Sequence, residues 1–214
     1  MSSREDIVRM GKTMLSSGLT LATWGNISCR MGETFCITPS GMDYGTLKPH
    51  DIVVMDMAGQ VIAGGRRPST EIAMHRAIYT ARPDVGAIIH THATASTVFA
   101  VTGREIPPIT DEAAQILQGV VPVATYALPG TEELAQHIVS ALGDKAQACL
   151  VRAHGAVCLG KDLESAWLCA RVLEQTCEIY RLALSTGDII TPITEDNVEK
   201  MTQFLQNSYG QKQS

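Results

Sequence analysis

Three histidines carry the sharpest chemical signal in this sequence. His90-Thr91-His92 closes the apolar run Ala87-Ile88-Ile89. On an extended strand, residues i and i+2 project to the same face, so the two imidazoles converge on one point as a pair of metal ligands would. A third imidazole, His154, ends another apolar run, Ala148-Cys149-Leu150-Val151, and precedes Gly155, where a backbone can turn tightly. Three histidine ligands leave an open coordination position on zinc. The other histidines weigh less. His75 shares a helix with Glu71 and reads as a packing or hydrogen-bonding residue, while His50 and His137 read as surface positions in a loop and an amphipathic helix.

Three turns rich in glycine and hydroxyl residues accompany the histidines: Thr23-Trp24-Gly25-Asn26, Thr38-Pro39-Ser40-Gly41 and Pro68-Ser69-Thr70-Glu71. Backbone amides and hydroxyls in such turns, one of them at a helix N-terminus, can hold a phosphate dianion without any lysine or arginine. Taken singly, each is also ordinary turn chemistry. Glu71 adds a carboxylate where Ser69 or Thr70 would already serve as helix cap; its plainest role is favourable charge at a helix N-terminus.

The elements that must position these residues follow from periodicity. Apolar residues at helical spacing predict a helix over 5–18 that ends at Gly18, and another from Ser69 or Thr70 to the Arg82-Pro83 stop. Further helices are expected near 95–102, 111–118, 130–142 and 162–186. Hairpins are expected over 26–31 with 33–38 and over 51–56 with 59–62, and strands over 84–92, 121–126, 148–154 and 155–160. Tight turns between neighbouring strands favour a mixed, largely antiparallel sheet covered by helices on both faces, and no Gly-x-Gly-x-x-Gly marks a dinucleotide fold.

The 214 residues, 45% hydrophobic and 18% charged, suit one globular domain over 1–214. Seventeen basic against 22 acidic residues give net −5, and no basic run exceeds Arg66-Arg67, so nucleic acid is excluded as a partner. The charged N-terminus and the absence of an apolar run of about 20 residues point away from a signal peptide or a membrane span, and toward the cytoplasm. The six cysteines form no Cys-x-x-Cys pair and read as reduced, buried thiols.

Taken together, Gly25-Asn26-Ile27-Ser28, Thr38-Pro39-Ser40-Gly41, Pro68-Ser69-Thr70-Glu71, His90-Thr91-His92, Pro129-Gly130-Thr131-Glu132-Glu133-Leu134-Ala135 and Ala153-His154-Gly155 resemble, in order and spacing, the class II aldolase/adducin family. The L-fuculose-1-phosphate aldolase branch is the nearest likeness, over roughly 5–185. The resemblance implies a three-layer α/β/α sandwich around a mainly antiparallel sheet, a homotetramer with sites between subunits, and cleavage of a 1-phosphoketose to dihydroxyacetone phosphate and an aldehyde. The released aldehyde would come from an L-fuculose 1-phosphate-like sugar or a 5-deoxy or 5-methylthio ribulose 1-phosphate.

It also assigns one divalent metal per subunit to His90, His92 and His154, zinc first with manganese or cobalt as alternatives. Glu71 would be acid/base and fourth ligand, and Asn26, Ser40, Gly41, Ser69 and Thr70 would hold phosphate. The family tyrosine expected in the segment Pro107-Pro108-Ile109-Thr110-Asp111-Glu112 is missing, which leaves Asp111, Tyr126 and Tyr209 as candidate proton donors or substrate contacts. An epimerase of the family would carry Asp where Glu71 stands. A methylthioribulose-1-phosphate dehydratase, using a glutamate near Glu112, stays open, as does a non-enzymatic adducin-head-like assembly module.

Overall fold

The computed structural model of the chain describes residues 4–207. Eight strands form one sheet in the order β4-β3-β2-β1-β5-β8-β7-β6. They are β1 (Asn26–Met31), β2 (Thr34–Ile37), β3 (Val53–Asp56), β4 (Val61–Ala63), β5 (Ala87–Thr91), β6 (Val123–Ala124), β7 (Ala148–Val151) and β8 (Gly155–Gly160). Only β6 against β7 is parallel; the other pairings are antiparallel. The helices are α1 (Arg4–Ser16), α2 (Ile72–Ala81), α3 (Thr94–Thr102), α4 (Asp111–Leu117), α5 (Glu132–Leu142), α6 (Leu163–Thr186) and α7 (Glu195–Asn207).

Alternation along the strands builds two cores. Ile27 and Cys29 of β1, Ala87 and Ile89 of β5 and Ala156 and Cys158 of β8 pack with residues of α1, α3, α4 and α6. The intervening positions, Ile88, Val157 and Leu159, pack with Met74 and Ile78 of α2 and Leu134 and Ile138 of α5. Helices therefore cover both faces, giving three layers, and β5 is buried along its whole length. All six cysteines are buried. No helix among the described residues is long and apolar enough to cross a membrane.

Several local expectations are corrected. The second helix begins at Ile72 with Glu71 itself at the N-cap, one or two residues later than capping by Ser69 or Thr70 predicts. The Ser69 hydroxyl instead accepts from the Glu71 amide at 3.3 Å, one turn ahead of the helix. The strand expected over 121–126 shrinks to Val123–Ala124, because Val121 bridges to Ile106 and Pro122 has no amide to donate. Residues 49–51 form a 3₁₀ turn rather than the start of a strand. Beyond Gly187, where no element was expected, α7 packs on α4. Its sparse apolar stripe, Val198 with Met201, gains its cover from a neighbouring helix.

Candidate active site

The end of β5 lies between two chain segments that approach it as only glycine allows. Gly25 precedes β1 with φ +72°, and a Cβ there would stand 2.5 Å from the His90 carbonyl oxygen; a Cβ at Gly155, which opens β8, would stand 2.2 Å from that of Thr91. The β7–β8 turn that delivers His154 also holds Ala153 in the left-handed region, φ +54°, a conformation that costs a residue with a Cβ about 1–2 kcal/mol. Packed this closely, the turn brings His154 onto the pair from β5. His90 Nε2 lies 3.0 Å from His92 Nε2 and 3.4 Å from His154 Nε2.

These distances match those of a ligand set. Four ligands placed tetrahedrally about 2.0–2.1 Å from zinc stand about 3.3–3.4 Å apart. His90 Nδ1–H donates to the Ala156 carbonyl at 2.9 Å, which leaves its Nε2 lone pair turned inward toward the other two rings. Burial and the neighbouring rings push His92 down to about 3 and His154 down to about 4, so both are neutral and able to ligate near neutrality. Trp24 stacks on His92 with ring centroids 6.2 Å apart.

Glu71 closes the cluster from α2. Its Oε2 lies 3.2 Å from His90 Nε2 and its Oε1 3.7 Å from His154 Nε2. Oε1 is buried without a hydrogen-bond partner among the described residues, and an orphaned carboxylate oxygen 3.7 Å from one of three clustered imidazole nitrogens fits a cation between them. Burial works against the charged carboxylate. The facing His90 and His154 rings and the Asn26 amide more than offset it, holding Glu71 below the usual carboxylate range.

Behind Glu71 lies a buried polar track. Asn26 Nδ2 donates to Glu71 Oε2 at 2.8 Å, and Asn26 Oδ1 meets His75 Nε2. His75 Nδ1 lies 2.6 Å from Ser28 Oγ, which lies 2.7 Å from the Tyr79 hydroxyl. Burial pushes His75 down to about 3, so the ring is neutral. The bonded His75 agrees with the sequence reading, which did not see its link to Glu71. Two signals were available: Glu71, His75 and Tyr79 recur every four residues, and polar Asn26 and Ser28 alternate with apolar Ile27 and Cys29 on one strand.

The hydroxyl-rich turns lie side by side. Pro39 bridges to Pro68, Ser40 N donates to the Arg67 carbonyl at 3.0 Å, and Ser69 N to that of Thr38 at 3.0 Å. Ser40, Gly41, Ser69 and Thr70 therefore share one corner, adjoining Glu71. Asn26 is turned inward to Glu71 and His75 instead. Of the remaining candidates, Asp111 is exposed at the start of α4, behind the Thr110 cap. Tyr126 lines a separate cleft of about 890 Å³ with Arg104, Glu105 and Arg152, and none of the three histidines lines that cleft. Tyr209 lies outside the described residues. His50 is exposed, and His137 on α5 bonds the Thr125 carbonyl at 3.1 Å.

Comparison with known proteins finds the same pattern. Residues 5–181 match the family described as the Class II Aldolase and Adducin N-terminal domain. The chain is 38% identical to the 5-methylthioribulose-1-phosphate/5-deoxyribulose-1-phosphate aldolase of Rhodospirillum rubrum, over 86% of its own length and 83% of the relative's. It is 35% identical to the 5-deoxy-D-ribulose 1-phosphate aldolase of Bacillus thuringiensis serovar kurstaki, over 98% and 97%. Among solved structures, an L-fuculose 1-phosphate aldolase superimposes with a TM-score of 0.91 at 34% identity, covering 96% of this chain and 98% of that one.

Proposed function

The chain belongs to the class II aldolase and adducin family, and from that premise we propose that it is an aldehyde-lyase acting on 5-deoxyribulose 1-phosphate or its 5-methylthio analogue. The products are dihydroxyacetone phosphate and a small aldehyde. The observation that carries the reading is Glu71, held against two of three converging imidazole nitrogens beside a corner of hydroxyl-bearing turns. His90, His92 and His154 would hold one divalent cation, zinc first with manganese or cobalt as alternatives, which would supply Lewis acidity to the ketose carbonyl.

The chain's own residues do the rest. Ser40, Gly41, Ser69 and Thr70 anchor the C1 phosphate, which sets the carbonyl and C3 hydroxyl at the histidine cluster. As the C3–C4 bond breaks, the C4 hydroxyl proton leaves to an acceptor and the aldehyde departs. Glu71, a carboxylate at rest, takes up a proton from water and delivers it to C3 of the enediolate, giving dihydroxyacetone phosphate and regenerating the carboxylate, while the C4 hydroxyl proton passes from its acceptor back to solvent. The acceptor for the C4 hydroxyl proton comes from a neighbouring subunit of a homotetramer, with Asp111, Tyr126 and Tyr209 as candidates. The enzyme works in the cytoplasm.

The test is release of dihydroxyacetone phosphate from a panel of 1-phosphoketoses. Turnover of the 5-deoxy and 5-methylthio sugars at least about tenfold above that of L-fuculose 1-phosphate supports the assignment; that factor is about 1.4 kcal/mol of transition-state discrimination, within reach of one apolar contact. A dehydrated product with no dihydroxyacetone phosphate would make the enzyme a dehydratase.

A further inference from the structure

Tyr79, Ser28, His75 and Asn26 form an unbroken line of polar side chains leading to Glu71, and each is nearly or wholly inaccessible to solvent. Its direction follows from Glu71. An ionised carboxylate only accepts, so Asn26 must turn its NH2 group toward Glu71 and its Oδ1 toward His75. His75 Nε2 must then carry the ring proton, and in a neutral imidazole Nδ1 is left as acceptor for the Ser28 hydroxyl 2.6 Å away. The Ser28 oxygen in turn accepts from the Tyr79 hydroxyl. Every member donates toward Glu71.

We propose that His75 is a positioning residue for Glu71: as the Nε2–H tautomer, its Nδ1 satisfied by the Ser28 hydroxyl, it locks the Asn26 amide with NH2 facing the carboxylate. This rests on the reading of Glu71 as the proton-transfer group. Without the His75 donor the amide is free to rotate and present Oδ1 to Glu71, setting two acceptors face to face and turning the carboxylate off the histidine cluster. Tyr79 packs against Phe35 in the α2-side core, so no solvent water stands ready to replace the missing donor.

Two measurements on the full-length, metal-loaded protein test this. In the first, ¹⁵N-histidine NMR reports the tautomer directly, with the His75 signal identified by its loss in His75→Gln. A neutral Nε2–H ring with a slowly exchanging proton is expected; a neutral Nδ1–H ring or an imidazolium overturns the proposal. In the second, exchange of the C3 proton of dihydroxyacetone phosphate with deuterated water is followed in His75→Met and His75→Gln. The Gln side chain keeps a donor toward Asn26 and an acceptor toward Ser28; Met keeps neither.

The Met variant is expected to lower kcat for exchange by roughly 10- to 100-fold with KM within about threefold of the wild type, and Gln to recover it to within about fivefold. Equal losses in the two variants, a loss carried by KM alone, or wild-type exchange in the Met variant each overturn it. Should the Met variant fail to fold, Ser28→Ala removes the donor to Nδ1 and is expected to slow exchange several-fold and weaken the Nε2–H signal. Wild-type rate and spectrum there overturn the chain. A wild-type protein inert toward dihydroxyacetone phosphate strikes the aldolase reading alone, and the tautomer still decides the role of His75.

Discussion

Glu71 is a carboxylate kept charged under nearly complete cover, which is possible only because its two oxygens are answered separately. Oε2 takes the Asn26 amide, and Oε1 is left for whatever the histidines hold. Glu71→Gln keeps the size and removes the base. Turnover is expected to fall by roughly 10²–10⁴, the range of a positioned acid/base group, while elemental analysis still finds about one metal per chain because three imidazoles remain. Wild-type turnover in that variant would move proton transfer to another residue. The histidine pair and Glu71 stand out in the sequence because i, i+2 spacing and a turn-borne carboxylate are local features. The His75 link is harder to see, since its meaning depends on β1 lying beneath α2.

Each of α4, α5 and α6 carries its own cap: Thr110, Thr131 and Asp162 accept from the amides of Ala113, Leu134 and Ser165 at 3.2, 3.2 and 2.8 Å. These starts were legible from residue type alone. The helix that matters most to the site, α3, follows directly on His92 and has only Ala93 at its N-cap. Glu174 of α6 supplies the cap from 79 positions away, accepting from Ala95 N at 2.7 Å and Ser96 N at 2.9 Å. Glu174→Ala leaves two amides of the first turn unpaired and is expected to cost about 2–3 kcal/mol. A lower denaturant midpoint at unchanged m-value checks this, and Glu174→Gln, which keeps one acceptor, falls between. A midpoint within error of the wild type would show that water caps α3 equally well.

At the scale of the whole molecule, α3 and α6 leave Val98, Val101, Leu168, Ile179 and Leu182 exposed on the single chain. That much unpartnered apolar surface on two helices supports self-association. Sedimentation at assay concentration is expected to give an active species four times the 23.0 kDa chain; an active monomer would remove the argument that a neighbouring subunit completes the site. The C-terminal helix α7 belongs to this scale too. Its stripe is too thin to predict a helix in isolation, and α4 provides the surface that makes one.

By itself the sequence determined what short-range physics controls. Period-two strands, hydroxyl and aspartate caps and glycine turns placed most elements within a few residues, and His-x-His on a strand pointed to a metal. Residue order across the whole chain carried the family resemblance. Tertiary structure alone decided which distant groups meet. His154 reaches His90 because β8 pairs with β5 in one register, His90 opposite Val157, and because Gly155 lets the two backbones touch. Asn26 faces Glu71, and Glu174 caps α3, for the same reason: such contacts depend on the packing of whole layers, a sum over many weak apolar contacts that no local window of residues contains.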